Sequence, residues 1–189
     1  MITTIVLALV LLAVLALIGY AILIYNGLVR MHNDCDKAWS NIDILLKQRF
    51  DELPKLVEVC QRYMEHERDT LEAVIQARSQ VASARGEQAQ QQAQNLLSDT
   101  LRSLFAVVER YPDLKADSLF RGLSQRISEL ENQIADRREL FNEHVNLYNI
   151  RIAQFPDLLI ARQFRFSDRR LWKIDPAHRA DVAIQFQRP

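Results

Sequence analysis

The stretch "YNGLVRMHNDCDKAWSNIDILLKQRFDELP", Tyr25 to Pro54, follows directly on an apolar run and decides how the rest of the chain is read. Within it Tyr25, Leu28, His32, Cys35, Trp39, Ile42, Leu46, Phe50 and Leu53 recur at spacings of three and four. That is the stripe of an amphipathic helix with one face turned to a partner. Asp34, Asp36, Asn41, Asp43, Lys47 and Gln48 fall largely off the stripe and belong to its wet side. Asn26, Asn33 and His32 lie near the seam, where a polar group fixes register at some cost in stability. Asn26 and His32, with Asn149 from far along the chain, are therefore assigned to a structural polar seam. The polar residues here are packing and solvation rather than a reaction site.

Working back toward the start, Ile2 to Ile24 carries no charge, and only Thr3, Thr4, Gly19 and Tyr20 interrupt its aliphatic run. As a helix these residues span about 34 Å, enough for a hydrocarbon core of about 30 Å. Tyr20 and Tyr25 suit the interface at its far end. A cleaved signal peptide would want basic residues before a shorter apolar core and a small-residue cleavage site. No Lys or Arg precedes the run, the run is long, and Ala13-Val14-Leu15-Ala16 is a poor site in its middle, so an uncleaved transmembrane anchor over residues 1–24 is expected. Arg30 and Lys37 follow the span and no Lys or Arg precedes it. This favours the N-terminus outside and the domain in the cytoplasm.

Working forward, Pro54 is expected to end or sharply kink the first helix and to open the next. A second stripe runs through Leu56, Cys60, Tyr63, Leu71, Val74, Ala77 and Val81, with a break at Gly86. The Gln-rich "EQAQQQAQNLL" then climbs into a third helix carrying Ala93, Leu97, Leu101, Leu104 and Val108, its glutamines read as a solvated face. "RYPDLKADS" is a connector in which Asp117 or Ser118 caps the fourth helix. That helix carries Leu119, Leu123, Ile127, Leu130, Ile134, Phe141, Val145, Tyr148, Ile152 and Phe155, interrupted by Arg138 and closed by Pro156. The fold expected is all-α: a single N-terminal transmembrane helix followed by an antiparallel up-down four-helix bundle with coiled-coil-like seams over residues 25–160. A continuous, merely kinked first helix would instead leave three helices and reverse the polarity of the rest.

Composition agrees. The chain has 189 residues with 4 Gly and 5 Pro, and alternating strand-like runs are scarce. Its 24 Lys and Arg balance 24 Asp and Glu, so no overall field points to nucleic acid. Cys35 and Cys60 are the two cysteines. With a turn near Leu53 they would lie about 27 Å and about 10 Å from it, out of disulfide reach, and they are read as small buried residues.

The C-terminal segment, residues 161–189, is basic and aromatic. Arg162, Arg165, Arg169, Arg170, Trp172 and Lys173 are its candidate membrane or partner contacts, the alternative being that its aromatics cap the bundle. Basic residues near an anionic leaflet contribute about 1 kcal/mol each. "VAIQF", Val182 to Phe186, is read as a short extended piece.

In order along the chain, "YNGLVRMHNDCDKAWSNIDILLKQRFDELPKLVEVC", "HERDTLEAVIQARS", "RYPDLKADSLF", "ENQIADRRELFNEHVNLYN" and "FPDLLIARQFRF" resemble the LemA family. Phe141 stands where that family usually has Tyr, with Asn142 kept, and "HNDCDKAW" is more acidic than usual. The resemblance implies a helical bundle on one membrane span in a bacterial inner membrane, with no established enzymatic activity and no catalytic residues to carry over. It also implies candidate partners, a heat-shock-type membrane zinc protease or a TPM-domain membrane protein.

The residues themselves offer little chemistry. No Glu stands three positions before His32, His66 or His144, as a di-metal bundle site requires, and His-Glu-x-x-His is absent. His32 and Asp36 share a helix face without a visible third ligand. "EHERD", Glu65 to Asp69, points around its helix and reads as a solvated face. No phosphate-cradling Gly loop or nucleophile elbow is present. The expectation is a non-enzymatic scaffold, adaptor or homo-oligomer at the membrane, with a role in membrane protein quality control or envelope stress, and with no cofactor, no metal and no nucleic acid. A bilayer-binding or remodelling protein using the basic-aromatic segment is the alternative. A metal-dependent enzyme using His32 and Asp36 is the third reading. Small residues of the span, Gly19 among them, permit self-association.

Overall fold

The computed structural model describes residues 1–173; the extended piece expected at Val182 to Phe186 lies outside them. The described residues are helical with no strand among them. There are four long helices, α1 (Ile2–Gln61), α2 (Arg68–Ser83), α3 (Glu87–Val108) and α5 (Ser118–Ala153), and two short ones, α4 (Pro112–Ala116) between α3 and α5 and α6 (Asp157–Gln163) after α5. The all-α class and the long apolar N-terminal helix expected from the sequence are both present.

The first turn is not at Pro54. Helix α1 passes through that proline to Gln61, and the reversal falls between Gln61 and Arg68, where Met64 is buried and its N–H reaches the Cys60 carbonyl at 2.9 Å. Proline inside a helix costs about 3 kcal/mol. Continuing the helix buries Leu56, Val57, Val59 and Cys60, and each Leu or Val so buried contributes about 1.5–3 kcal/mol. Burial therefore wins. The local damage is also repaired, because Pro54 cannot donate to the Phe50 carbonyl four residues before it. Arg78 Nε donates to that carbonyl at 3.4 Å, and its guanidinium lies 4.0 Å from the centre of the Phe50 ring. Four long helices survive, with the first boundary shifted.

The described residues form two compact units: Met1–Ile44 with Ala135–Leu171, and Leu45–Ile134 with Trp172 and Lys173. Helices α1 and α5 contribute to both. In the first unit the pairs Trp39–Phe141 and His32–Tyr148 step down α1 as they climb α5, which makes the two helices antiparallel. Their seam buries Leu28, Cys35, Ile42, Phe141, Val145 and Tyr148.

In the second unit the ends of α1 and α5 join α2 and α3 around one apolar cluster. It includes Leu53, Leu56, Cys60, Leu71, Val74, Leu97, Leu101, Leu104, Phe120, Leu123 and Ile127. Gly86 makes the α2–α3 turn with φ 80°, in the left-handed region that favours glycine. Asp117 caps α5: its Oδ1 accepts the Leu119 and Phe120 N–H groups at 2.8 and 3.0 Å. Phe120 is buried and Leu119 exposed, so the apolar stripe of α5 starts one residue later than its spacing suggests.

The Gln-rich run is helical but not wholly solvated. Gln91 and Gln94 are buried. Gln94 Oε1 accepts from Arg49, a fully buried guanidinium that also donates to Ser98 Oγ at 2.7 Å and pairs with Glu131. Ser98 donates to Glu131 Oε2 at 3.1 Å. An arginine is tolerated inside because neighbouring helices α3 and α5 supply its acceptors.

Candidate functional site

The polar residues of the first unit converge where the chain beyond α5 folds back. Asn149 holds that returning chain with both ends of its amide. Its Nδ2 donates to the Arg169 carbonyl at 2.8 Å and its Oδ1 accepts the Arg169 N–H at 2.9 Å. Beside it, the Tyr148 hydroxyl donates to the Ser167 carbonyl at 3.1 Å. Burial pushes the Tyr148 hydroxyl above its usual pKa, with the neighbouring Cys35 adding to the shift and Arg169 opposing it. The hydroxyl thus stays protonated and able to donate.

The Arg169 side chain crosses to α1, pairs with Asp36 and lies 3.5 Å from the His32 carbonyl. Asp36 is therefore committed to an arginine. His32 Nε2 lies 3.8 Å from the other Asp36 oxygen, beyond a hydrogen bond, and its ring packs against Tyr148 with centroids 5.6 Å apart. Among the described residues no three His, Cys, Asp or Glu side chains gather closely enough to hold a metal ion. Cys35, buried in the same seam, has its thiol pushed up by burial despite Arg169. Cys60, in the second unit, is pushed by burial up to about 12. Both cysteines are free.

Of the three residues assigned to the polar seam, His32 and Asn149 are half-buried and engaged as described, whereas Asn26 is exposed. The C-terminal contacts also divide. Arg162, Arg165, Arg170 and Lys173 are exposed, and Arg169 is mostly covered by its bond to Asp36. Trp172 is buried in the second unit, where its Nε1 donates to Asn95 Oδ1 at 3.0 Å. Asn95 also donates to the Lys173 carbonyl at 3.0 Å. Trp172 is thus packed within the second unit and not presented outward. The signal for it was Asn95 on α3, an amide beside a Gln-rich run.

Short helix α6 begins with Asp157, buried and paired with Arg151 of α5. It ends in a Schellman turn: the Arg165 N–H reaches the Arg162 carbonyl at 3.3 Å and the Phe166 N–H the Ala161 carbonyl at 2.9 Å. Arg165 occupies the left-handed position of that turn at φ 58°, where glycine is usual. A non-glycine residue there costs about 1 kcal/mol or more. On either side of Arg165 in that turn, Phe164 and Phe166 pack on Tyr25, their ring centroids 4.7 and 5.9 Å from its own. Tyr25 directly follows the apolar run of α1, whose side chains are exposed and which is long and apolar enough to cross a membrane.

A helical bundle carried on a helix able to anchor it in a membrane is the class of protein that these features define. The chain belongs to the LemA family, whose model matches residues 38–186. It is similar to the magnetosome protein MamQ 2 of Paramagnetospirillum magneticum, 26% identical over 171 residues, covering 77% of this chain and 63% of that protein. It is also similar to the magnetosome protein MamQ of Magnetospirillum gryphiswaldense, 24% identical over 176 residues, covering 79% of this chain and 65% of the relative. Protein LemA of Metamycoplasma hominis is 27% identical over 158 residues, covering 83% of this chain and 72% of the relative. The match thus spans less than two thirds of the MamQ proteins' length, and none of the three names states a reaction.

Proposed function

We propose that this protein is a non-enzymatic scaffold that assembles copies of itself at the membrane and so presents its bundle to other membrane proteins. The observation that carries this reading is an exposed apolar seam on α5. Leu140, Leu147 and Ile150 are all exposed and, with Glu143, follow the three-and-four spacing of a coiled-coil contact. Anchoring by the opening part of α1 confines copies to a plane, which raises the effective concentration for such a contact. Arg30 and Lys37, just past the span, support a bundle on the cytoplasmic side. A heat-shock-type zinc protease or a TPM-domain protein would meet the assembly as partner; the family resemblance alone supports that part.

Native mass spectrometry of the full-length protein in mild detergent tests the reading. One discrete oligomer is expected, and the double variant Leu140→Glu/Leu147→Glu should fall to monomer with its melting temperature little changed. A wild-type monomer at every concentration tried would overturn self-assembly.

A further inference from the structure

We propose that Phe155, Leu159 and Phe164, with Arg162 and Arg165 beside them, form a second membrane contact that seats the α6 segment in the headgroup region of an anionic bilayer. Three large apolar side chains lie close together in the chain and remain 80%, 57% and 57% exposed, respectively. Nothing about them is slack. Asp157 ties the start of α6 to Arg151, and Asn149 and Tyr148 hold the chain beyond it. A segment pinned at both ends that still presents its apolar residues outward is shaped for an external surface.

The occupant follows from position and charge. Phe164 packs on Tyr25 at 4.7 Å, so it is held where the apolar run of α1 ends. Aromatic rings at that depth are the usual residents of the membrane–water interface. The surface is therefore continuous with the span. Its charge is mainly positive: Asp157 is buried and consumed by Arg151, which leaves Asp168 as the exposed acid between residues 155 and 170, against Arg162, Arg165 and Arg170. Arg165 adds a separate argument. Glycine would sit at φ 58° without strain, whereas the chain keeps a cation there, beside the apolar residues. Apolar residues flanked by exposed cations are the pattern of an interfacial segment on anionic lipid.

The proposal rests on reading Ile2–Ile24 as a span, and the experiment separates the two. Cys35 and Cys60 are buried, so a maleimide fluorophore goes to a newly introduced surface cysteine. The full chain is labelled at Phe155→Cys, Leu159→Cys, Leu12→Cys or Ile75→Cys, then reconstituted in phosphatidylcholine vesicles containing phosphatidylglycerol and spin-labelled lipid. Position 12 reports the span, and position 75, exposed in the second unit, reports water. Quenching by the spin-labelled lipid should be at least about twofold stronger at 155 and 159 than at 75, and should persist when the protein is diluted tenfold in lipid. Quenching at 155 and 159 no stronger than at 75, with position 12 quenched, would overturn the proposal and leave the span intact. Loss of quenching on dilution would assign the face to a second copy and also overturn it. In the variant Arg162→Gln/Arg165→Gln, quenching at 159 should fall to the level seen without phosphatidylglycerol; no change would refute the anionic assignment.

Discussion

At the scale of single residues, two arginine arrangements hold positions that the spacing of apolar residues leaves unexplained. Arg78 takes over the carbonyl that Pro54 strands, so the two side chains should be energetically coupled. Pro54→Ala restores the missing N–H and should raise stability by about 1–3 kcal/mol. Arg78→Met should cost about 1 kcal/mol in the natural chain and clearly less in the Pro54→Ala background. A double-mutant cycle by chemical denaturation checks this, and simple additivity would refute the repair. The second arrangement is Arg49 with Gln94, Ser98 and Glu131. Glu131→Ala leaves a buried guanidinium short of its charge partner and should cost about 3 kcal/mol, whereas Arg49→Met/Glu131→Leu should recover most of that loss. If the double variant is no more stable than Glu131→Ala, the loss comes from packing and not from charge. Neither arrangement was legible beforehand. An arginine three residues after Leu46 looks like any edge residue, and a glutamine is equally at home inside or outside a helix until its partner is known.

At the scale of elements, helix existence was plain and helix ends were not. The apolar part of α3's buried stripe, Ala93, Leu97, Leu101, Leu104 and Val108, was read correctly because these residues are aliphatic and no proline or glycine interrupts them; buried Gln91 and Gln94 were not. Pro54 misled because its local cost was visible in the sequence, whereas the burial of the next turn depends on helices distant in the chain. The cap of α5 fell between two candidates, Asp117 and Ser118; the structure selects Asp117. Its carboxyl is held below the usual carboxylate value, first by the Phe120 N–H and then by the Tyr63 hydroxyl, which donates at 3.0 Å. A carboxyl that is more acidic when folded contributes its stability above the unfolded pKa and loses it as pH falls through the folded one. The loss therefore begins below about pH 4. Asp117→Asn keeps the cap and removes the charge. Its melting temperature should lie below that of the natural protein at neutral pH, and the gap should close as the pH drops beneath about 4. A gap that stays constant through that range would remove Asp117 as the cause.

At the scale of the whole molecule, the exposed apolar run is long enough to cross a membrane, and the cations after it predict which side the bundle occupies. A cysteine at position 75 should react with a membrane-impermeant maleimide only after cells are permeabilised; labelling of intact cells would put the bundle outside. The returning chain was the least legible part. Its basic-aromatic composition suggested one surface, yet Trp172 and Arg169 are spent on the protein's own Asn95, Asp36 and His32, and the outward residues include Phe155 and Leu159. Composition cannot sort these, because the sorting depends on amides at Asn149 and Asn95 that sit on other helices. The unbroken course of α1 has a consequence of another kind. Within the first unit, the apolar run and the face of α1 that packs on α5 lie on one continuous helix, so the angular phase of one fixes that of the other. One residue inserted at the junction after Ile24 turns everything beyond it on that helix by about 100°, whereas seven restore nearly the original phase. For an anchored chain, the length of the apolar run is therefore also a setting of angle for the first unit.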